Sequence, residues 1–187
     1  MRKAQRGLSL LELLVVLAVG AIIMGVGVPG FRDLIADARI RTATNDLISS
    51  AILARSEAIK RVKYVTLCRS SDGETCAGER GDWHDGWIVF ANATTANLSR
   101  VDGDDELIRV YPPLPDGITI EASGTVDDFV SFRPTGTAGT GAANQRGSLT
   151  ICDFRGEEDA RAAIVDTSGR TRVSHDVRHD GEALECG

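Results

Sequence analysis

One apolar run near the N-terminus constrains the fold of this chain more than any other feature. Residues 8–28 read LSLLELLVVLAVGAIIMGVGV, in which Ser9 and Glu12 are the only polar side chains. A helix of this length measures about 30 Å, which is the thickness of the hydrocarbon core of a bilayer. A water-soluble domain seldom carries such a run at its surface. The run therefore predicts a transmembrane helix over residues 8–28.

The flanks of the run favour a retained anchor over a cleaved secretory signal. A secretory signal has a shorter apolar core followed by a small-x-small cleavage site, whereas this run leads directly into Pro29. On its other side, residues 1–7 carry three cations and no acid. Positive flanks stay in the cytoplasm, so we expect the N-terminus inside and everything after residue 28 outside.

Glu12 is the one ionisable residue within the run. A charged side chain costs about 3 kcal/mol at the bilayer centre and less near the edge. One turn into the helix, the carboxylate could simply reach the headgroups as a tolerated acid. The alternative is an unpaired charge that awaits a cation from a neighbouring helix, and intramembrane ionisable groups favour such a functional role.

The residues around this acid resemble the class III leader of type IV pilins and pseudopilins. The matching segment, residues 6–12, reads RGLSLLE. The resemblance implies that prepilin peptidase cuts after Gly7, that Leu8 becomes the N-methylated first residue, and that Glu12 pairs with the terminal amine of the adjacent subunit. Pro29 falls where these helices commonly carry a proline. The family usually has Phe at the first mature position, and Leu8 departs from this.

Helical spacing continues beyond residue 28 to residue 62, and the pattern then changes to strands. Residues 29–62 have helical spacing and predict an amphipathic continuation of the helix, with a stripe that includes Leu47, Ile48, Ala51, Ile52, Ile59 and Val62. Short β-branched or aromatic runs then alternate with turn residues. They predict strands over 64–68, 86–90, 107–111, 118–120, 130–132, 148–152, 162–165 and 172–174. We therefore expect an α+β fold in which residues 63–187 form an antiparallel β-rich head. The Gly- and Thr-rich piece 135–147 predicts a mobile loop.

Four cysteines lie in the predicted head: Cys68, Cys76, Cys152 and Cys186. Disulfides are permitted outside the cytoplasm, and four cysteines allow three pairings, among which the sequence does not choose. We favour Cys68 with Cys76, closing a short loop, and Cys152 with Cys186, fastening the tail to a strand. Metal binding is the competing use, but no Cys-x-x-Cys spacing is present, and we expect no metal and no cofactor.

Several segments of the head resemble the GspH/FimT group of minor pilins and pseudopilins. They are ARSEAIKR at 54–61, VTLCRSSDG at 65–73, GWIVF at 86–90, LTICD at 149–153 and GRTRV at 169–173. The resemblance implies a type IV pilin-like fold and a structural subunit that primes or tips a type IV pilus or a type II secretion pseudopilus. It also implies an anchor in the bacterial inner membrane, a periplasmic head, and two kinds of partner: prepilin peptidase, and other pilins or pseudopilins.

The same group includes a DNA-binding minor pilin of natural transformation, which uses a Gly-Arg-x-Arg motif near its C-terminus. Residues 169–172 fit that motif, and alternate residues of a strand share one face, so Arg170 and Arg172 could both reach one phosphate backbone. Arg161 and Arg178 are candidates to extend this patch. The alternative is a solvated strand end, and the net charge of −6 argues against non-specific nucleic-acid binding over the whole surface. DNA is therefore an alternative partner.

The sequence offers no catalytic site. It contains no Gly-x-Ser-x-Gly elbow, no P-loop and no dinucleotide-binding fingerprint. The pair His175 and His179 would bind a metal only on a helix, and the surrounding residues predict an exposed tail instead. We expect no catalytic residue and no enzymatic activity.

Overall fold

The computed structural model describes residues 9–78, 81–95 and 97–187, with the backbone alone for residues 26–29. Within these residues, one long helix, α1 (Leu10–Arg61), precedes ten short strands. The chain divides into two compact units, one ending at Ala38 and the other, here called the head, covering Arg39–Gly187. Each unit contains part of α1.

The first unit consists of the apolar part of α1. Its large apolar side chains from Leu10 to Met24 are 50–79% exposed, so nothing within the described protein covers them. This part of the helix is long and apolar enough to cross a membrane. An isolated apolar helix of this length is stable in lipid, because it satisfies its own backbone hydrogen bonds there.

The residue that directly follows α1 has a left-handed backbone conformation. Val62 has φ +54°, and the backbone N–H of Lys63 donates to the carbonyl of Ala58 at 3.3 Å. This is the Schellman arrangement, in which a left-handed residue after the last helical one lets the chain cap the terminal carbonyls. A β-branched residue is unfavourable in that conformation, and Val62 is 74% exposed, so packing does not compensate.

We expect Val62→Asn to stabilise the head by about 1 kcal/mol, because asparagine tolerates the left-handed conformation and little packing is lost. For a domain of this size, the midpoint of thermal unfolding should rise by about 3 °C. Circular dichroism of the full chain in detergent measures it. Val62→Ala is the matched control, since alanine retains the left-handed penalty; an equal rise in both variants would contradict the explanation.

Alanines form most of the face that α1 buries in the head. The buried positions share helical spacing and comprise Ile40, Ala43, Leu47, Ala51, Ala54 and Ala58. The predicted stripe is therefore partly wrong: Ile52 and Ile59 are about half exposed, and Val62 lies beyond the helix. Small side chains let the helix lie close to the strands, whereas the larger isoleucines lie to the side of the contact.

All eight predicted strands are present, each shifted by a few residues at most, and they form two antiparallel four-stranded sheets. The first sheet has the order β3-β2-β1-β5 and the second the order β10-β9-β8-β4. The first contains β1 (Val65–Arg69), β2 (Trp87–Ala91), β3 (Glu106–Tyr111) and β5 (Phe129–Phe132). The second contains β4 (Thr119–Gly124), β8 (Gly147–Cys152), β9 (Arg161–Val165) and β10 (Thr171–Ser174).

The segment predicted as a mobile loop contains a hairpin instead. The strands β6 (Gly139–Thr140) and β7 (Ala143–Asn144) pair antiparallel. Arg133 holds the hairpin, since its guanidinium donates to the carbonyls of Gly141 and Ala138 at 3.1 and 3.0 Å and also to that of Ala143. A guanidinium has five N–H donors and can bind several carbonyls at once. Because Arg133 precedes residues 135–147, the composition of that segment does not indicate this support.

The core lies between α1 and the inner faces of the two sheets, and each outer face has its own smaller cluster. The outer cluster of the first sheet includes Cys68 and Phe90, and that of the second includes Ile164 and Leu184. A disulfide closes each cluster: Cys68–Cys76 on the first sheet and Cys152–Cys186 on the second. Both pairings favoured from the sequence are thus present in the structure.

Candidate assembly and interaction sites

Glu12 lies in the first turn of α1, directly beside the residue that caps the helix. The hydroxyl of Ser9 accepts a hydrogen bond from the backbone N–H of Glu12 at 3.2 Å, and the carbonyl of Ser9 accepts from Leu13 at 3.2 Å. Ser9 is therefore the N-cap, and Glu12 occupies the third helical position, where a carboxylate interacts favourably with the helix dipole. Its side chain is exposed, and no cation in the described part of the chain pairs with it.

The other residues of the predicted assembly site are only partly visible. Gly7 and Leu8 lie outside the described residues. Pro29 lies within α1, which continues through it to Arg61. The predicted roles of Gly7, Leu8 and Pro29 therefore remain predictions.

Arg170 and Arg172 lie on a tight hairpin between β9 and β10. The turn closes through the N–H of Gly169, which donates to the carbonyl of Asp166 at 2.8 Å. Gly169 has φ +74°, and a Cβ atom there would lie 2.0 Å from the carbonyl oxygen of Gly136. The glycine of the motif is thus required by its backbone conformation and by a close approach of two loops.

The two arginines are exposed at the edge of the second sheet. Within the described residues neither has an ion-pair partner. Arg172 lies opposite Ile164 in the ladder, so its side chain belongs to the outer face of the sheet, and Arg170, two residues earlier, continues the same alternation. The two arginines therefore lie two residues apart where β10 begins, and a shared face remains a prediction.

The two arginines considered as extensions of this patch do not join it. Arg178 is only 14% exposed and its guanidinium pairs with Glu182 and, at 2.9 Å, with Glu185. Desolvation opposes its charge, but these carboxylates outweigh that cost and raise the pKa of Arg178. Arg161 begins β9 and lies at the end opposite the turn. The expectation that they enlarge the patch is wrong.

The C-terminal tail covers the outer face of the second sheet and is not the exposed tail that the sequence predicts. Leu184 is buried there, Cys186 is bonded to Cys152, and the N–H of His179 donates to the hydroxyl of Ser148 at 2.6 Å. No group of three potential metal ligands comes together in the described part of the chain.

The loop closed by Cys68–Cys76 is built around Asp72. Its carboxylate accepts from the hydroxyl of Thr75 at 2.6 Å and from the N–H groups of Thr75 and Glu74 at 2.8 Å. These bonds, the hydroxyl first, hold the pKa of Asp72 well below its usual range. The loop is therefore an ordered cover for the first sheet, joined by both a covalent bond and a hydrogen-bond network.

Sequence reasoning missed one exposed aromatic residue. Phe154 follows β8 in a turn from Asp153 to Gly156 and is 75% exposed. The signal was present in the segment DFRG, since Asp at the first and Gly at the fourth position are typical of a type I turn. The second position of such a turn points a side chain outward.

Two family models match the chain. Residues 43–169 match the family described as Type II transport protein GspH, and residues 2–28 match the prokaryotic N-terminal methylation motif. The GspH match ends at Gly169, so Arg170 and Arg172 lie beyond it. No curated protein matches the chain.

Two crystal structures of the type IV minor pilin FimU from Pseudomonas aeruginosa (strain PAO1) have a similar fold. One matches with a TM-score of 0.53 and 17% identity, covering 72% of this chain and 87% of that chain. The other, in space group P65, has a TM-score of 0.52 and 17% identity, with 72% and 91% coverage. At this identity the likeness concerns the fold alone, and it confirms the predicted pilin-like α+β architecture. Because the GspH match covers more than half of the chain and a methylation motif precedes it, the chain belongs to the GspH family of minor pilins and pseudopilins.

Proposed function

We propose that this chain is a structural subunit that primes or tips a type IV pilus or a type II secretion pseudopilus. One observation carries the proposal: an exposed apolar helix with a carboxylate in its first turn precedes a separately folded, disulfide-closed head. A soluble binding module has no use for such a helix. Family membership implies assembly with other pilins and processing by prepilin peptidase at the N-terminal motif.

The proposed topology has residues 8–28 in the bacterial inner membrane, residues 1–7 in the cytoplasm and residues 63–187 in the periplasm. The cations of residues 1–7 favour the cytoplasmic side. The two disulfides support a periplasmic head, because disulfides persist in oxidising compartments. After assembly, the head would face outward from the filament.

The proposed mechanism is the transfer of α1 from lipid into a bundle of similar helices. Lipid provides no hydrophobic force between helices, so charge pairing and packing must select the partner. Glu12 supplies the charge, and after removal of residues 1–7 the amine of Leu8 on a neighbouring subunit would supply the cation. In a low-dielectric bundle that pairing is far stronger than it is in water.

Deletion of the chain in its own bacterium tests the proposal, with surface pili and secreted type II substrates measured side by side. Loss of pili with secretion intact assigns it to the pilus. Loss of secretion with pili intact assigns it to the pseudopilus. If both persist undiminished, or if the lost phenotype is not restored by the full chain, the proposal is wrong.

A second candidate function, DNA binding for uptake, is favoured by Arg170 and Arg172, which are exposed and lack carboxylate partners within the described residues. Two guanidiniums on one face can contact one phosphate backbone, and the affinity depends on how many phosphates are neutralised. Against this, the chain is acidic overall, with a net charge of −6. Any DNA binding would therefore be local to this turn.

We expect Arg170→Ala with Arg172→Ala to lower the affinity for duplex DNA by about tenfold or more, and to reduce the slope of log affinity against log salt by about 2. A gel shift with the full chain in detergent measures both. Arg100→Ala with Arg109→Ala removes the same charge from β3 of the first sheet and the loop before it, and should leave binding unchanged. Equal binding by all three proteins would remove DNA uptake as a function.

A further inference from the structure

The exposed Phe154 is held on a rigid turn. The N–H of Gly156 donates to the carbonyl of Asp153 at 3.1 Å, and the guanidinium of Arg155 binds the Asp153 carboxylate through Nε at 3.1 Å and Nη2 at 2.9 Å. The side chains of Asp153 and Arg155 are 2% and 12% exposed. The residue before the turn, Cys152, is in a disulfide. Because this turn is already ordered, binding there would lose little further conformational entropy.

A large aromatic side chain in this setting has the properties of an interface anchor. Aromatic residues are enriched in the cores of interfaces, where a few anchors in apolar pockets contribute most of the binding energy. Beside Phe154 lies a short 3-10 helix, Glu157–Asp159, in which all three acids are exposed. A complementary surface therefore needs an apolar spot with cations around it.

The opposite end of β9 carries such a surface. There Ile59 of α1 is 50% exposed, and it packs under Gly136, where an added Cβ would lie 2.8 Å from its Cδ1 atom. Arg170 directly follows the adjoining β9–β10 turn, and Arg172 lies on β10. Arg55 lies beneath the same turn, 3.3 Å from the position of a Cβ atom on Gly169, and its Nε is buried without a hydrogen-bond partner in the described part of the chain.

We infer that a second copy of this chain docks head to tail: the Phe154 turn of one head binds the β9–β10 end of the next. Phe154 would pack on Ile59, and the Glu157–Asp159 helix would face Arg170 and Arg172. The two surfaces are separated by the length of β9, five residues or about 16 Å. Because they differ and lie at opposite ends, the contact is heterologous and leaves both ends of a dimer free to add copies.

This contact is separate from the helix contact proposed for Glu12, and either can exist without the other. Helix pairing depends on lipid or a helix bundle, whereas head docking depends on charge complementarity between surfaces in water. Such complementarity sets specificity and falls with salt. A readout confined to the head distinguishes the two contacts.

Photo-cross-linking of the full chain in detergent at low salt tests the docking. With Phe154→p-benzoylphenylalanine, we expect an intermolecular adduct that mass spectrometry maps to residues 55–59 or 166–172. Arg170→Glu with Arg172→Glu in the same chain should lower the adduct at least about tenfold, since like charges then face each other. Arg100→Glu with Arg109→Glu is the matched charge control and should leave it unchanged.

A mixing experiment distinguishes lost docking from lost folding. The photoreactive chain with Arg170→Glu and Arg172→Glu should recover the adduct when mixed with a chain carrying Glu157→Lys and Glu158→Lys, because the first retains the acidic end and the second the basic end. A chain that carries Glu157→Lys, Glu158→Lys and the photoreactive residue at position 154 should form no adduct by itself. An adduct that maps elsewhere, or that persists through the charge reversals, or no adduct from any mixture, would overturn the inference.

Discussion

Replacing Glu12 by alanine should leave the chain inserted in the membrane and abolish its incorporation into filaments. The change removes the one charge from an apolar helix, so insertion should become slightly more favourable. Assembly, in contrast, loses the carboxylate that in our proposal attracts the amine of a neighbouring Leu8. Cell fractionation measures insertion, and immunoblots of sheared filaments measure incorporation.

The geometry of the first turn provides two matched controls. Glu12→Gln keeps the shape and can still hydrogen-bond the helix N-terminus but has no charge, so we expect it to fail like alanine. Ser9→Ala removes the cap that Ser9 gives the Glu12 N–H, at about 1 kcal/mol, yet keeps the carboxylate, so we expect incorporation to continue. Normal incorporation of the alanine variant would show that assembly needs neither the charge nor the hydrogen bond of the Glu12 side chain. Normal incorporation of the glutamine variant alone would show that interaction with the helix N-terminus, and not charge pairing, explains Glu12.

Replacing Gly7 by alanine should block removal of residues 1–7 completely. Glycine lets another backbone approach without a Cβ atom in the way, which fits its place at the expected cleavage site. Intact-mass measurement of the purified chain should show residues 1–7 retained in the variant and absent from the wild type. Ala4→Gly is the control and should be processed normally, and a variant at Gly7 with the wild-type mass would refute the assignment.

The Gly7 variant should also fail to assemble, for a reason related to Glu12. With residues 1–7 retained, Leu8 has an amide instead of a terminal amine, and a neighbouring Glu12 finds no cation there. Retained cations at Arg2, Lys3 and Arg6 lie on the cytoplasmic side in the proposed topology. A variant that keeps the leader and still enters filaments would separate processing from assembly.

The strands were predictable because their chemistry is local. Alternating β-branched and aromatic residues bounded by turn residues predict strands such as β2 and β8 to within a residue or two. The short pair β6 and β7 was not predictable, since its residues are Gly, Thr, Ala and Asn and it is held by Arg133, which precedes the segment. Side-chain contacts from outside a segment leave no trace in the composition of that segment.

The buried face of α1 was predicted less well, because hydrophobicity and burial diverge there. Ile52 and Ile59 are more apolar than Ala54 and Ala58, yet the alanines are fully buried and the isoleucines half exposed. Close packing of a helix on strands selects for small volume as much as for apolar character. The candidate DNA-binding residues show a similar limit of sequence patterns. The motif identifies Arg170 and Arg172 as candidates. That Arg178 pairs with carboxylates of the tail, and so does not join them, is evident only from the fold.

The two covalent loops described for the head also limit how far it can be stretched. In the proposed filament, tension would be transmitted through α1, and a head that unfolds between its helix and its tail would lengthen only by the chain outside the closed loops. Cys152–Cys186 closes a loop with a sequence separation of 34 and Cys68–Cys76 one with a separation of 8. These loops exclude roughly 120 Å and 30 Å of chain from extension. Reduction of both disulfides would allow the chain within the two loops to extend as well.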